Sequence, residues 1–138
     1  MPEVLKVRDL TIKFGNSAGK IWRTLSQKGP LNKEVLKNDI QLKNDEFYGG
    51  VGWLARENKI SMEEQETLKL DKTNLTHKIG NNAGRIWKIL DIWGDIDIQS
   101  IQRLADIQEE EVHTALGWLA REDKIVLDDI SRIRLKEI

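Results

Sequence analysis

Cysteine is absent from the 138 residues. Disulfides and thiolate metal sites are therefore excluded. Long apolar runs are lacking too: none could span a bilayer, and none follows Met1 as the core of a leader would. A cytoplasmic protein without a membrane partner is expected. There is no basic surplus, since the net charge is −1, whereas nucleic-acid binders usually carry a marked positive excess. The two histidines, His77 and His113, have no second histidine or cysteine at a metal-ligand spacing. No glycine-rich phosphate loop and no serine in a nucleophile-elbow context occurs. The expectation is a non-enzymatic chain with no catalytic residue, no metal and no cofactor, and no small-molecule substrate is evident.

What the sequence has in abundance is repetition. Gly15-Asn16-Ser17-Ala18-Gly19-Lys20-Ile21-Trp22 returns as Gly80-Asn81-Asn82-Ala83-Gly84-Arg85-Ile86-Trp87. Gly52-Trp53-Leu54-Ala55-Arg56-Glu57-Asn58-Lys59-Ile60 returns as Gly117-Trp118-Leu119-Ala120-Arg121-Glu122-Asp123-Lys124-Ile125. Both blocks recur at an offset of 65 residues, with no insertion between them. A unit of about 65 residues can just fold alone. The chain is therefore expected to hold two domains, residues 1–71 and 72–138, each with its own core.

Within one unit, apolar residues recur at three and four positions: Leu10, Phe14, Ala18, Ile21, Trp22 and Leu25, then Leu75, Ile79, Ala83, Ile86, Trp87 and Leu90. That spacing predicts a first helix with both tryptophans on its inner face. Gly29 and Gly94 stand where a helix can end in a positive-φ cap. The glycine pairs Gly15/Gly19 and Gly80/Gly84 lie inside the helix, where each costs about 1 kcal/mol against alanine, so close packing on that side is expected. Asn32 and Asp97 are good caps for a second helix; in copy two its inward residues are Ile98, Ile101, Leu104 and Ala105. A third helix turns Phe47, Gly50, Val51 and Leu54 inward, matched by Val112, Ala115, Leu116 and Leu119. Alternating segments then form a β-hairpin, with Leu31 or Ile96 free to add a short strand. The fold class is α+β, mostly α: two tandem winged helix-turn-helix domains, each of three helices plus a β-hairpin wing.

The two repeated blocks resemble a family of small bacterial and archaeal winged helix-turn-helix domains of unknown function. The resemblance covers nearly the whole chain twice, whereas family members usually carry one such domain. It implies the winged-helix fold and kinship with transcription regulators. It brings no catalytic or ligand-binding residue with it.

A helix-turn-helix protein reads the major groove with the N-terminal end of its third helix. Here that end is acidic: Gln108-Glu109-Glu110-Glu111 in copy two and Asn44-Asp45-Glu46 in copy one. The wing tips Glu63-Glu64-Gln65-Glu66 and Asp128-Asp129 are acidic as well. Phosphates repel such groups, and affinity for DNA comes largely from neutralising phosphates. The outward face of helix three is small (Gly49 and Gly52, or Thr114 and Gly117), a surface on which another helix can lie. Only Arg56 and Arg121 suit base readout there, and each has carboxylates nearby to pair with. The partner is therefore expected to be another protein, with Trp93, Trp53, Trp118, Arg56 and Arg121 as candidate contacts. Trp53 and Trp118 could cover the wing root or lie between the copies. Trp93 occupies the position of Lys28, so the fold needs no aromatic there. The alternative is a DNA-binding regulator. It would use a basic surface on domain 1, or both copies as a pseudo-dimer. Residues 1–43 hold nine Lys/Arg against four acids, and Lys20, Arg23, Lys33 and Lys37 form the candidate nucleic-acid patch.

Overall fold

The computed structural model describes residues 7, 8, 10–128 and 132–136. Elements follow in the order β1 (Val7–Arg8), α1 (Leu10–Lys28), β2 (Leu31–Asn32), α2 (Lys33–Ile40), α3 (Asn44–Arg56), β3 (Ile60–Glu63) and β4 (Thr67–Leu70). They continue as α4 (Thr76–Trp93), β5 (Ile96–Asp97), α5 (Ile98–Ala105), α6 (Glu109–Arg121), β6 (Ile125–Asp128) and β7 (Arg132–Leu135). The expected helices and wings are present twice. Of the second wing tip, Asp129 lies outside the described residues.

Local chemistry explains the boundaries. Gly29 and Gly94 take φ of 78° and 75°, and their N–H groups donate to the carbonyls of Leu25 and Leu90 at 2.9 Å. The Asn32 side chain accepts from the Glu34 N–H at 2.8 Å, and Asp97 accepts from the Ser100 N–H at 3.2 Å. Both satisfy donors that the first helical turn leaves free. In each wing the hairpin gains a third antiparallel strand, Leu31 pairing with Leu68 and Ile96 with Ile133.

The two cores are not self-contained, which corrects the expectation of one private core per copy. Leu10 and Phe14, on the first turns of α1, are buried in the second copy's core with Leu116, Leu127 and Ile133. In return Ile79 of α4 is buried among Phe47, Val51 and Leu68 of the first copy. The backbone repeats the exchange. β1 pairs with β6, extending the second copy's sheet to the order β1-β6-β7-β5. At the equivalent edge of the first copy the Asn74 side chain stands in for a strand. Its Oδ1 accepts from the Met62 N–H at 3.0 Å, and its Nδ2 donates to the Met62 carbonyl at 2.7 Å. The connection between the copies is thereby tied to the first wing.

The most extensive contact between any two elements is α3 against α6. Its faces are the small ones foreseen in the sequence, and the helix lying on each is the other copy's. A Cβ on Gly52 would fall onto the backbone carbonyl of Thr114, and one on Gly117 onto that of Gly49. Gly15 and Gly80 likewise face the indole rings of Trp53 and Trp118, 3.3 and 3.5 Å from a hypothetical Cβ. Gly19 and Gly84 have open space beside them, so packing does not explain that half of each glycine pair.

Three inward assignments need correction. Trp22 and Trp87 are 43% and 38% exposed, and Leu104 is 44% exposed. Each is one step around its helix, about 100°, from a fully buried neighbour: Ile21, Ile86 or Ala105. The apolar stripe was drawn too wide.

Gly52→Ala and Gly117→Ala should each destabilise the protein by about 3 kcal/mol, since backbone must move to admit the methyl group. Gly19→Ala should be neutral or stabilising by about 1 kcal/mol. Urea titration of the three variants checks this; equal effects would contradict the packing described.

Candidate functional site

The seam between α3 and α6 fixes four of the residues singled out in the sequence. Arg56 Nε lies 3.2 Å from Glu122 Oε2, and Arg121 Nε lies 3.0 Å from Glu57 Oε2. The same guanidinium groups lie over indole rings across the seam, Arg56 over Trp118 and Arg121 over Trp53, each 5.6 Å from the ring centroid. Trp53 and Trp118 pack against both cores. Of the two positions open to these tryptophans, the one between the copies is the one occupied. Arg56 and Arg121 pair with carboxylates, as one sequence reading allowed, but those of the opposite copy. Each arginine thus has both an indole ring and a carboxylate of the opposite copy within reach of its guanidinium.

The acids at the N-termini of the third helices are also engaged. Glu46 and Glu111 accept from the N–H groups of Lys43 and Gln108 at 3.3 and 3.2 Å. Asp45 binds Lys13 at 2.6 Å. Burial alone would raise the Asp45 carboxyl, but the hydrogen bond and charge of Lys13 outweigh it and hold Asp45 below its usual value. Glu110 reaches across to Lys33 at 3.7 Å, and Lys33 binds Glu66 of the wing at 3.1 Å. Burial opposes the charge on Lys33, yet Glu66, then Tyr48 and Glu110, raise its pKa. Tyr48 is pushed up by burial.

The basic set is split by the structure. Lys33 and Lys37 on α2 are bound to acids, Lys37 to Glu34 at 3.3 Å. Lys20 and Arg23 on α1 are exposed. Arg23 joins Gly15, Gly19, Trp22 and Trp53 around an open groove of about 530 Å³. Trp93 stands apart from both cores and is 61% exposed.

Among the described residues no group of three or more His, Asp or Glu could hold a metal ion. None of the described helices is long and apolar enough to cross a membrane.

Two three-helix units with antiparallel wings define a tandem winged helix-turn-helix protein. The chain belongs to the winged helix-turn-helix domain family (DUF2582), which it matches twice, over residues 9–70 and 70–135. No curated protein and no solved structure matches it. The fold suggests nucleic-acid binding or a regulatory role.

Sequence reasoning did not single out Leu104, Tyr48 and Ile79 as departures from the repeat. Subtracting the repeat offset flags them, because their counterparts are Asp39, His113 and Phe14. Each of these pairs changes chemistry or size.

The Asp45–Lys13 pair gives a pH dependence with a definite sign. A carboxyl held low in the folded state contributes stability above its unfolded pKa and loses it as pH falls through the folded one. Asp45→Asn should therefore unfold at lower urea than the parent at pH 7, and the gap should close below the ordinary carboxylate range. A gap that is constant with pH would mean the pair contributes nothing through its charge.

Proposed function

We propose that the chain is a non-enzymatic, protein-binding adaptor or regulatory scaffold related to transcription. Residues 1–71 and 72–138 are its two domains, joined along the α3–α6 seam. One observation carries this reading. In the first copy, Lys28 at the end of α1 binds Asp39 of α2 at 2.7 Å. In the second copy the same two positions hold Trp93 and Leu104, and Ile92 replaces Gln27. Trp93, Leu104 and Ile92 are all exposed, Ile92 at 77%. The fold accepts polar residues at all three places, so folding does not demand apolar ones. An exposed tryptophan flanked by aliphatic side chains is the material of an interface hot spot. The candidate partner contact is therefore Trp93 with its neighbours, rather than Trp53, Trp118, Arg56 or Arg121, which the seam already uses.

The third helices support the same reading. Paired helix-turn-helix units read DNA with recognition helices about 34 Å apart, one helical turn of the duplex. Here α3 and α6 lie against each other, and their small faces are covered. Lys20 and Arg23 support a second reading, in which a nucleic-acid backbone runs along α1. They sit three residues apart on one helix face, exposed and without an ion pair among the described residues.

The decisive variant is Trp93→Lys with Leu104→Asp, which transplants the first copy's ion pair. Partner capture from the native lysate should survive nuclease and be lost in this variant, while thermal stability changes little. Capture that disappears with nuclease, or with Lys20→Ala and Arg23→Ala but not with the transplant, supports the nucleic-acid reading instead.

A further inference from the structure

The helices that carry the Trp93 face differ in charge from the chain around them. α4 holds Lys78, Arg85 and Lys88 against one acid, Asp91, and α5 holds Arg103 and no acid, although the whole chain is net −1. Asp91 stands two residues from Trp93, about 200° around the helix, and so lies on the far side. Arg85, Lys88 and Ile89 precede Ile92 by seven, four and three residues, which places them along one side of α4 with it. The Arg85 guanidinium donates to the Ala105 carbonyl at the end of α5, beside Leu104, so that side of α4 and α5 form one surface. On the α5 side Arg103 adjoins Leu104, and its guanidinium donates to the Ser100 hydroxyl at 3.3 Å. Lys88 and Arg103 are exposed, and neither makes an ion pair among the described residues.

The first copy shows which part of this surface is particular to the second. The basic positions are shared, since Lys20 and Arg23 stand where the second copy has Arg85 and Lys88. The floor is not shared. Thr24, Gln27, Lys28 and Asp39 are matched by Ile89, Ile92, Trp93 and Leu104, and Asn38 by Arg103. Four polar positions are thus apolar in the second copy, while the cationic border is kept and extended. An apolar floor supplies affinity, and a border of one sign selects the partner by charge. The complement is an apolar stripe with acidic flanks. The surface also decides the conformation of that complement. It is made of the sides of two helices, whose backbone groups are already paired. The strand that follows Trp93, β5, has two residues and passes directly into α5, too short a template for an added strand. A helix satisfies its own backbone and meets such a floor with side chains at i, i+3, i+4 and i+7. Three of the four floor residues are aliphatic, so successive nucleic-acid bases would find one ring to stack on, Trp93.

We infer that the Trp93 face binds an amphipathic helix of a partner protein, with Asp and Glu bordering its apolar stripe. Trp93, Ile92 and Leu104 pack on that stripe, while Lys88 and Arg103 meet its carboxylates from the α4 and α5 sides. This rests on the reading of the Trp93 face as a protein contact, and adds the conformation and charge of what binds there. The equivalent face of the first copy, where Lys28 binds Asp39 at 2.7 Å, does not take the helix.

The probe is a displayed library of random peptides of about 16 residues, four to five helical turns. It is selected on the full chain and, separately, on Trp93→Lys with Leu104→Asp. Peptides enriched on the parent should carry apolar residues at i, i+3, i+4 and i+7 and more Asp and Glu than Lys and Arg. They should gain helix on binding, by circular dichroism, and be lost on the double variant. Lys88→Glu with Arg103→Glu should raise their Kd at least about tenfold at an unchanged melting midpoint, and raising the salt from about 50 to 300 mM should also weaken them. Enriched peptides that are neutral or basic, or whose apolar residues alternate with a period of two, overturn the inference. If the double variant still loses them, the face remains a protein contact. Peptides held equally by the double variant overturn both readings. A selection that enriches nothing overturns the inference too. So does binding to phosphatidylglycerol vesicles or to oligothymidine that requires Trp93 while no helical peptide is enriched, which assigns the face to a membrane or a nucleic acid.

Discussion

Two helix backbones can meet this closely only where side chains are removed. The approach of α3 to α6 across Gly52, Gly117 and Gly49 is that constraint, and the other inter-copy features follow from it. Once the helices touch, Arg56 and Arg121 are brought within reach of the opposite copy's glutamate and indole. The first turns of α1 and α4 then overhang the neighbouring core, where Leu10, Phe14 and Ile79 are buried. Exposed ion pairs contribute at most about 1 kcal/mol each. The glycine contact and the exchanged apolar side chains must therefore hold the seam, while the arginines fix its register.

This has a functional cost. A helix face made of glycine can carry either a neighbouring backbone at van der Waals distance or side chains that read bases, but not both. The face in question is the one a helix-turn-helix protein turns to DNA. With Glu46 and Glu111 capping the helix ends and Asp45 and Glu110 engaged with lysines, the acidic residues that argued against phosphate contact also have structural work.

Much of the fold was legible because it is local. The repeat offset, the caps at Asn32 and Asp97, the glycines at 29 and 94 and the third strand at Leu31 and Ile96 each follow from a few adjacent residues. The small face of the third helix was legible as a docking surface, though not the identity of what docks there. Periodicity shows which residues leave water, not which core receives them. Leu10 and Phe14 therefore read as the first copy's own, although the second copy buries them. Trp22 and Trp87 misled for a different reason. A large aromatic at the margin of an apolar stripe counts as apolar wherever it points, and both residues remain partly in water.

A tandem repeat carries its own control, and here the control separates structure from use. Most residues at the seam recur unchanged, Gly52 and Gly117, Trp53 and Trp118, Arg56 and Arg121, Glu57 and Glu122, while Gly49 is matched by Thr114, which enters the seam through its backbone. Each touches its counterpart's surroundings, so a change on one side without the other would break a reciprocal contact. Away from the seam the copies are free to drift, and most exposed differences need no explanation. Two sets of differences are not of that kind. At Lys28/Trp93 and Asp39/Leu104 an ion pair becomes an exposed apolar face. At Phe14/Ile79 and His113/Tyr48 a filled cavity becomes an open one with a buried hydroxyl. Both changes run against stability, the first by exposing apolar surface and the second by losing packing. Both fall where the second copy departs from the first, or where its first turn covers the first. The asymmetry therefore has a direction: the seam makes the two copies one body, and the departures from the repeat that lie away from it expose apolar surface on one side and open a cavity on the other.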